Sequence, residues 1–162
     1  MKDFVIKVKP IIDLSMRTLC LHKYHNHPKG CPNWNKKDGC PPKSRVIDKI
    51  IDIDKTVYAI YNKYPFGKHV KKMKDKHPNW TKRQLECCLY WQGTARKQLK
   101  EKIYIFLKEK PNYIISHCPE GSGVNLTETM KQVGIELEWP PKKYTYQIVL
   151  AGIPMGENNG IK

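Results

Sequence analysis

Residues 56–61, Thr56-Val57-Tyr58-Ala59-Ile60-Tyr61, are rich in β-branched and aromatic residues and predict a buried strand near the middle of the chain. Before this strand, Ser44 is placed to cap a helix that continues to Ile51. After it, a helical stretch over residues 67–76 is expected to end before His77-Pro78, because a residue that precedes proline disfavours helical backbone. The sequence therefore predicts a strand with a helix on each side.

Strands and helices continue to alternate away from this centre. Apolar residues alternate with charged ones over residues 4–8, which is the period of a half-buried strand. Thr81 and Gln84 form a capping box, and apolar residues then recur every three or four positions to Phe106, which predicts one long helix. Residues 113–116 and 144–151 predict two further strands, and Asn125 followed by Glu128 predicts another helix start between them.

This alternation predicts the fold class. A chain of 162 residues is long enough for one domain with a real core. Strands separated by helices predict an α/β fold with a mainly parallel sheet flanked by helices. We expect a single domain over residues 1–152 and a flexible tail over residues 153–162.

The charge is strongly basic and unevenly distributed. The formal net charge is +15, and residues 61–110 hold 14 basic and 4 acidic side chains. Aromatic residues are interleaved with the lysines of this segment, as in surfaces that follow a phosphate backbone and stack on bases. RNA or another polyanion is thus a candidate partner for the basic region 63–102, although a merely solubilising surface explains the same charges.

Composition also bears on the location of the protein. No apolar run approaches the roughly 18 residues that a membrane-spanning helix needs, so no membrane partner is expected. The first nine residues alternate apolar and charged side chains and contain no continuous apolar signal segment. We therefore expect a cytoplasmic protein with reduced thiols, in which clustered cysteines indicate a metal or catalysis more often than disulfides.

Four cysteines lie in loops beside glycine or proline, namely Cys20, Cys31, Cys40 and Cys118. The first three belong to a stretch of about 24 residues rich in His, Pro, Gly and Asn, which needs an organiser other than regular hydrogen bonding. Strand-to-helix loops of a parallel sheet gather at one edge, so the Cys118 loop is expected to meet the other three there. Metal binding by these four thiols is the prediction.

The motifs Gly30-Cys31-Pro32, Gly39-Cys40-Pro41-Pro42 and 117–123, His-Cys-Pro-Glu-Gly-Ser-Gly, together with Cys20, resemble the DUF2284 family of predicted metal-binding proteins. The similarity covers about residues 13–137. It implies an α/β protein in which the four cysteines hold a metal centre, with an iron–sulfur cluster ([4Fe-4S] or another type) as the expected cofactor. Ser122 and Gly123 are predicted to add backbone N–H donors to the cluster or to a substrate anion.

Zinc is the alternative cofactor. The cysteine spacing lacks the paired C-x2-C motifs of zinc ribbons, but four histidines are close enough in the sequence to serve as ligands: His22, His25, His27 and His117. Of the two other cysteines, both expected on the long helix, Cys88 fits the apolar stripe as a small buried hydrophobe, whereas Cys87 is the better candidate for redox chemistry or ligation.

Two classes of function follow from these features. The first is a metal-binding protein whose iron–sulfur cluster acts in sulfur or redox chemistry on a nucleotide or RNA substrate. The second is a basic nucleic-acid-binding module in which zinc or a cluster only stabilises the fold. A thiol redox protein is disfavoured, because the sequence has no C-x2-C pair.

Overall fold

The computed structural model describes residues 2–24 and 27–156, and within these ranges the chain forms one four-stranded sheet. Its strands are β1 (Val5–Val8), β2 (Val57–Tyr64), β3 (Ile114–Ser116) and β4 (Thr145–Gly152). They are arranged in the order β1-β2-β4-β3, and every neighbouring pair is antiparallel. The prediction of a mainly parallel sheet is therefore wrong.

The position of β4 explains the error. Both β2 and β3 run antiparallel to β4, so they point in the same direction and are connected through helices, as in a parallel crossover. However, β4 occupies the place between them: Ala59 pairs with Leu150, and Ile115 pairs with Ala151. Alternation along the chain predicted the direction of β2 and β3 relative to each other, but it carried no signal that a later strand would separate them.

Four α-helices and three 3-10 helices accompany the sheet in the described part of the chain. The α-helices are α1 (Phe66–Lys76), α2 (Lys82–Leu85), α3 (Gln92–Glu109) and α4 (Leu126–Lys131). The 3-10 helices span Leu14–Leu21, Ile47–Lys49 and Cys88–Tyr90. Of the helices described, none has the length and apolar character that crossing a membrane demands.

The predicted long helix is divided into two. The capping box is confirmed, because the Thr81 hydroxyl accepts a hydrogen bond from the Gln84 N–H and the Gln84 side chain accepts one from the Thr81 N–H. The helix then breaks, and the Trp91 indole N–H donates to the Glu86 carbonyl at 3.3 Å. Cys87 and Cys88 consequently lie in the break and not on the long helix, contrary to the prediction.

Each face of the sheet has its own core. On one face, the aromatic and aliphatic side chains of β2 and β4 pack against α3, whose Phe106 is fully buried beside Tyr58. On the opposite face, Ala59 and Leu150 pack against α4 and the 3-10 helix Ile47–Lys49. Side chains of a strand alternate between faces, so β2 and β4 contribute to both cores.

Other local predictions have mixed outcomes. The second helix start is confirmed, because the Asn125 side chain accepts from the Glu128 N–H at 3.0 Å. Ser44 does not cap a helix; its hydroxyl donates instead to the Gly121 carbonyl at 2.8 Å. Near the carboxy-terminal end, the Met155 N–H donates to the Ile50 carbonyl at 3.0 Å. The rest of the predicted tail, residues 157–162, lies outside the described residues.

Candidate metal centre

The four predicted ligands come from separate segments, and we refer to Cys20, Cys31, Cys40 and Cys118 as the four-cysteine site. Cys20 is the penultimate residue of the first 3-10 helix, and Cys118 follows β3 after one residue. Cys31 and Cys40 lie in the irregular stretch between the first two 3-10 helices. All four are half-buried and unpaired by disulfides.

Backbone contact holds Cys20 and Cys31 together. The Cys31 N–H donates to the Cys20 carbonyl at 2.7 Å. The preceding residue, Gly30, has a φ of +79°, and a Cβ atom at this position would lie 2.6 Å from the Cys20 carbonyl oxygen. Only glycine combines this left-handed backbone with so close an approach. The Gly-Cys sequence therefore brings the two cysteine segments into contact.

The Cys40 and Cys118 segments meet through Gly121 and Ser44. The Ser44 N–H donates to the Cys40 carbonyl at 3.0 Å, and the Ser44 hydroxyl is the group that binds Gly121. A Cβ atom on Gly121 would lie 2.8 Å from the Cys118 Sγ and 3.0 Å from the Cδ of Pro41. Gly121 is thus closely enclosed between Cys118 and the residue that follows Cys40.

Electrostatic coupling joins the two pairs. Burial, followed by the charges of Cys31, Cys118 and Cys40 and a hydrogen bond with Cys31, raises the pKa of the Cys20 thiol to about 11. Burial also raises the pKa of Cys118, while a hydrogen bond from the Gly121 N–H opposes the increase. The charges of the three other thiols therefore act on Cys20, and those of Cys40 and Cys31 act on Cys118.

The thiols are not arranged as a finished coordination sphere. Among residues 2–24 and 27–156, no group of three or more His, Cys, Asp or Glu side chains is placed so that it could hold a metal ion. His22 and His117, two of the alternative zinc ligands, are exposed, and His27 is half-buried with its ring beside that of Tyr24. His25 lies outside the described residues. The iron–sulfur cluster and the zinc alternative both stay predictions.

The two predicted backbone donors are engaged within their own loop. The Ser122 N–H donates to the carbonyls of Cys118 and Pro119 at 3.1 and 3.0 Å, and the Gly123 N–H donates to Glu120 at 3.0 Å. These bonds shape the turn that carries Cys118. The N–H group that reaches the Cys118 sulfur belongs to Gly121 instead.

Three further residues at the site escaped the sequence reasoning. The Arg17 guanidinium donates to the carbonyls of Ser44 and Pro42 at 2.6 and 3.2 Å, and so holds the segment that follows Cys40.

The Tyr24 hydroxyl forms a hydrogen bond with Cys31. Burial raises the pKa of Tyr24, and the charge of Cys31 and, more weakly, those of Cys20 and Cys88 act in the same direction. Of the two remaining cysteines, Cys88 is the one whose charge acts on Tyr24. No sequence pattern singles out these three residues.

No family model matches the chain, and neither a curated protein nor a solved structure gives a significant match. The resemblance to the DUF2284 family accordingly stays a prediction that rests on the cysteine motifs.

Proposed function

We propose that the protein binds a metal centre through Cys20, Cys31, Cys40 and Cys118, with an iron–sulfur cluster as the preferred occupant and zinc as the alternative. The observation that carries this proposal is the contact between the segments that bear these cysteines, in which the Cys20 thiol interacts with those of Cys31, Cys118 and Cys40. The Cys31 N–H donates to the Cys20 carbonyl, and the Ser44 hydroxyl connects the Cys40 segment to the Cys118 loop. A metal centre would supply the organisation that this long irregular stretch otherwise lacks.

The chemistry of the donor set fits a thiophilic centre. In the metal-free protein, burial and mutual repulsion favour the protonated form of Cys20, whose pKa is about 11. A cationic centre reverses this balance, because thiolates that repel one another are each attracted to the metal, and binding releases their protons. Purely thiolate sites favour iron–sulfur clusters or zinc over the hard cations Mg²⁺ and Ca²⁺.

The surrounding residues have defined supporting roles. The Gly121 N–H donates to the Cys118 sulfur and stabilises its thiolate form, and Arg17 fixes the carbonyls that follow Cys40. Burial raises the pKa of the nearby Glu120, and the charge of Glu120 is one of the causes that raise the pKa of the Cys118 thiol. When bound, an iron–sulfur cluster held by all four thiolates supplies redox chemistry, and one held by three of them leaves an open Lewis-acidic iron, for sulfur or redox reactions on a nucleotide or RNA.

The test is elemental analysis combined with absorption spectroscopy on protein purified without oxygen. We expect iron and acid-labile sulfide together with a broad visible absorption. Serine replacement of each of the four cysteines should reduce bound metal severalfold or more. Cys87→Ser is the matched control, because Cys87 is also half-buried but lies outside the site.

Two results would decide against the cluster. Stoichiometric zinc in a colourless protein, lost in the same four serine variants, would identify zinc as the occupant. Equal metal content in all four variants and in the control would reject the four-cysteine site itself.

A second candidate function, binding of RNA or another polyanion, rests on the charged surface of α1 and α2. Its exposed basic residues, which we call the basic surface, are Lys68, Lys71, Lys72, Lys74, Lys76, Lys82 and Arg83. In α1 the apolar residues Phe66, Val70 and Met73 are buried or half-buried, so the lysines occupy the solvent side of the helix. Such a row of cations suits a chain of phosphates.

Salt dependence tests this second function. Affinity for RNA should fall steeply as ionic strength rises, because binding releases counterions. Replacing Lys71, Lys72 and Lys74 with glutamate should weaken binding at least tenfold and flatten the salt dependence. The matched control replaces three exposed lysines elsewhere, Lys7, Lys49 and Lys131, with glutamate. Equal losses in the two triple variants would show attraction by net charge alone and reject the basic surface as a site.

A further inference from the structure

Three aromatic rings form a ladder beside the basic surface. The rings of His77 and Trp80 are stacked, with centroids 3.9 Å apart and an angle of 6° between their planes. The Tyr90 ring continues the ladder, 5.3 Å from that of Trp80 and tilted by 35°. We call His77, Trp80 and Tyr90 the aromatic ladder.

The end of the ladder is open to solvent. Tyr90 is 53% exposed, and the adjacent Leu89 is 84% exposed. Both belong to the 3-10 helix Cys88–Tyr90, in the break that divides the predicted long helix. The exposed part of the Tyr90 ring is therefore available to a ligand that covers it.

The position of the ladder fits a ligand with charges and flat rings. Lys74 and Lys76 of α1 precede His77, and Lys82 and Arg83 of α2 follow Trp80, so cations lie on both sides of the stacked rings in the sequence. A nucleic-acid strand combines phosphates with aromatic bases and satisfies both features, whereas an acidic peptide satisfies only the first. In a duplex, the faces of the bases are already stacked on one another, so only an unpaired strand can offer them to Tyr90.

We propose that the basic surface and the aromatic ladder together bind single-stranded nucleic acid, with a base stacked on Tyr90. This inference rests on the proposed polyanion binding and specifies its ligand.

The experiment measures fluorescence anisotropy at low salt with a labelled, unstructured 20-nucleotide strand, as RNA and as DNA, and with the blunt duplex of the same sequence. We expect the single strand to bind about tenfold more tightly than the duplex. Tyr90→Leu keeps a bulky side chain but removes the ring, and should weaken single-strand binding about tenfold without changing duplex binding, because stacking on an aromatic ring contributes substantially per base. Tyr90→Phe should keep the wild-type affinity.

Tyr104→Leu is the matched control, because Tyr104 is a tyrosine of similar exposure, 61%, on α3. Equal affinity for strand and duplex, with no effect of Tyr90→Leu, would overturn the stacking inference but leave polyanion binding in place. Equal losses in Tyr90→Leu and Tyr104→Leu, or polyglutamate binding as tightly as the single strand, would also overturn it. If no nucleic acid binds at low salt, both the stacking inference and the polyanion function on which it rests are rejected.

Discussion

The α3 face of the sheet and the four-cysteine site obtain their structure in different ways. On the α3 face, regular elements bury apolar side chains: Phe106 packs edge-on against Tyr58 and Tyr113, with ring centroids 5.5 and 5.7 Å away. At the four-cysteine site, irregular segments are held by single hydrogen bonds and by two closely enclosed glycines, Gly30 and Gly121. The first region is stable through its own burial, whereas the second is organised around chemical groups that repel one another when charged.

This difference indicates which region should depend on a bound metal for its stability. Apolar packing on the α3 face is complete within the chain, so its stability should not depend on anything bound. The four-cysteine site gains most when a cation turns the repulsion among its thiolates into attraction. Substitutions and metal removal should therefore separate the two regions.

The largest effect is expected from Phe106→Ala on the α3 face. Removal of a fully buried ring should lower the free energy of unfolding by about 3–5 kcal/mol, through lost burial and the cavity left behind. Urea unfolding measures this loss. The loss in free energy of unfolding should be the same with and without metal. A loss that differs strongly between the two forms would show that the regions are not energetically separate.

Gly30→Ala should have the next largest effect and act on the other region. The left-handed φ of +79° and the clash with the Cys20 carbonyl oxygen should together cost about 2 kcal/mol and weaken metal binding. Gly39→Ala is the matched control in the same irregular stretch, because a Cβ there meets nothing within 4 Å. It should change stability by less than about 0.5 kcal/mol. Similar results for the two variants would contradict the close contact between Cys20 and Cys31.

Metal removal should loosen one region selectively. Amide hydrogen exchange, followed by mass spectrometry, should become about tenfold or more faster at Cys31, Ser44 and Ser122, whose N–H groups donate to the carbonyls of Cys20, Cys40 and Cys118. Exchange at Ala59 and Leu150, in the centre of the sheet, should be unchanged. Uniform acceleration in both regions would indicate that the metal stabilises the whole fold, and no change in either would argue against a metal at these loops.

The smallest effect is a pH dependence that originates at His69 of α1. Burial, and then the charge of Lys72, lower the pKa of His69, and its Nε2 is buried without a hydrogen-bond partner in the described structure. The unfolded chain therefore binds this proton at a higher pH than the folded chain, and stability decreases as the pH falls through the range near 6.5. His69→Phe should reduce this loss in urea titrations from pH 7 to pH 5. His22→Phe, at an exposed histidine, should leave it unchanged.

Local signals in the sequence predicted individual elements well. The capping residues Thr81 and Asn125 act where their side chains can reach a nearby N–H, because a cap depends only on residues two or three positions away. The β-branched and aromatic content that predicted β2 is likewise local. Ser44 is the exception. It was predicted to cap a helix, but its hydroxyl donates to the carbonyl of Gly121, which is distant in the sequence.

Longer-range features were harder to predict. The periodic spacing of Leu85, Cys88 and Gln92 suggested a continuous helix, but Trp91 turns inwards to stack on Tyr64, and the helix breaks beside it. The sheet was assigned the wrong topology because pairing between β2 and β4 has no local signature. Contact of the cysteine loops was expected at the edge of a parallel sheet, but the sheet is antiparallel and the loops contact one another at Gly30 and Gly121.

The central place of β4 has a consequence for how the protein folds during synthesis. The side chains of Asn62 on β2 and Gln147 on β4 are hydrogen-bonded across a separation of 85 residues. Contacts so distant along the chain slow folding, because the intervening polypeptide loses conformational entropy before the contacts between the strands can stabilise the structure. On the ribosome, β1 and β2 are able to pair before β4 emerges, but β3 has no neighbour in the sheet until then. The sheet is thus completed only after β4 has left the exit tunnel, and a truncation before Thr145 removes the strand that joins its two halves.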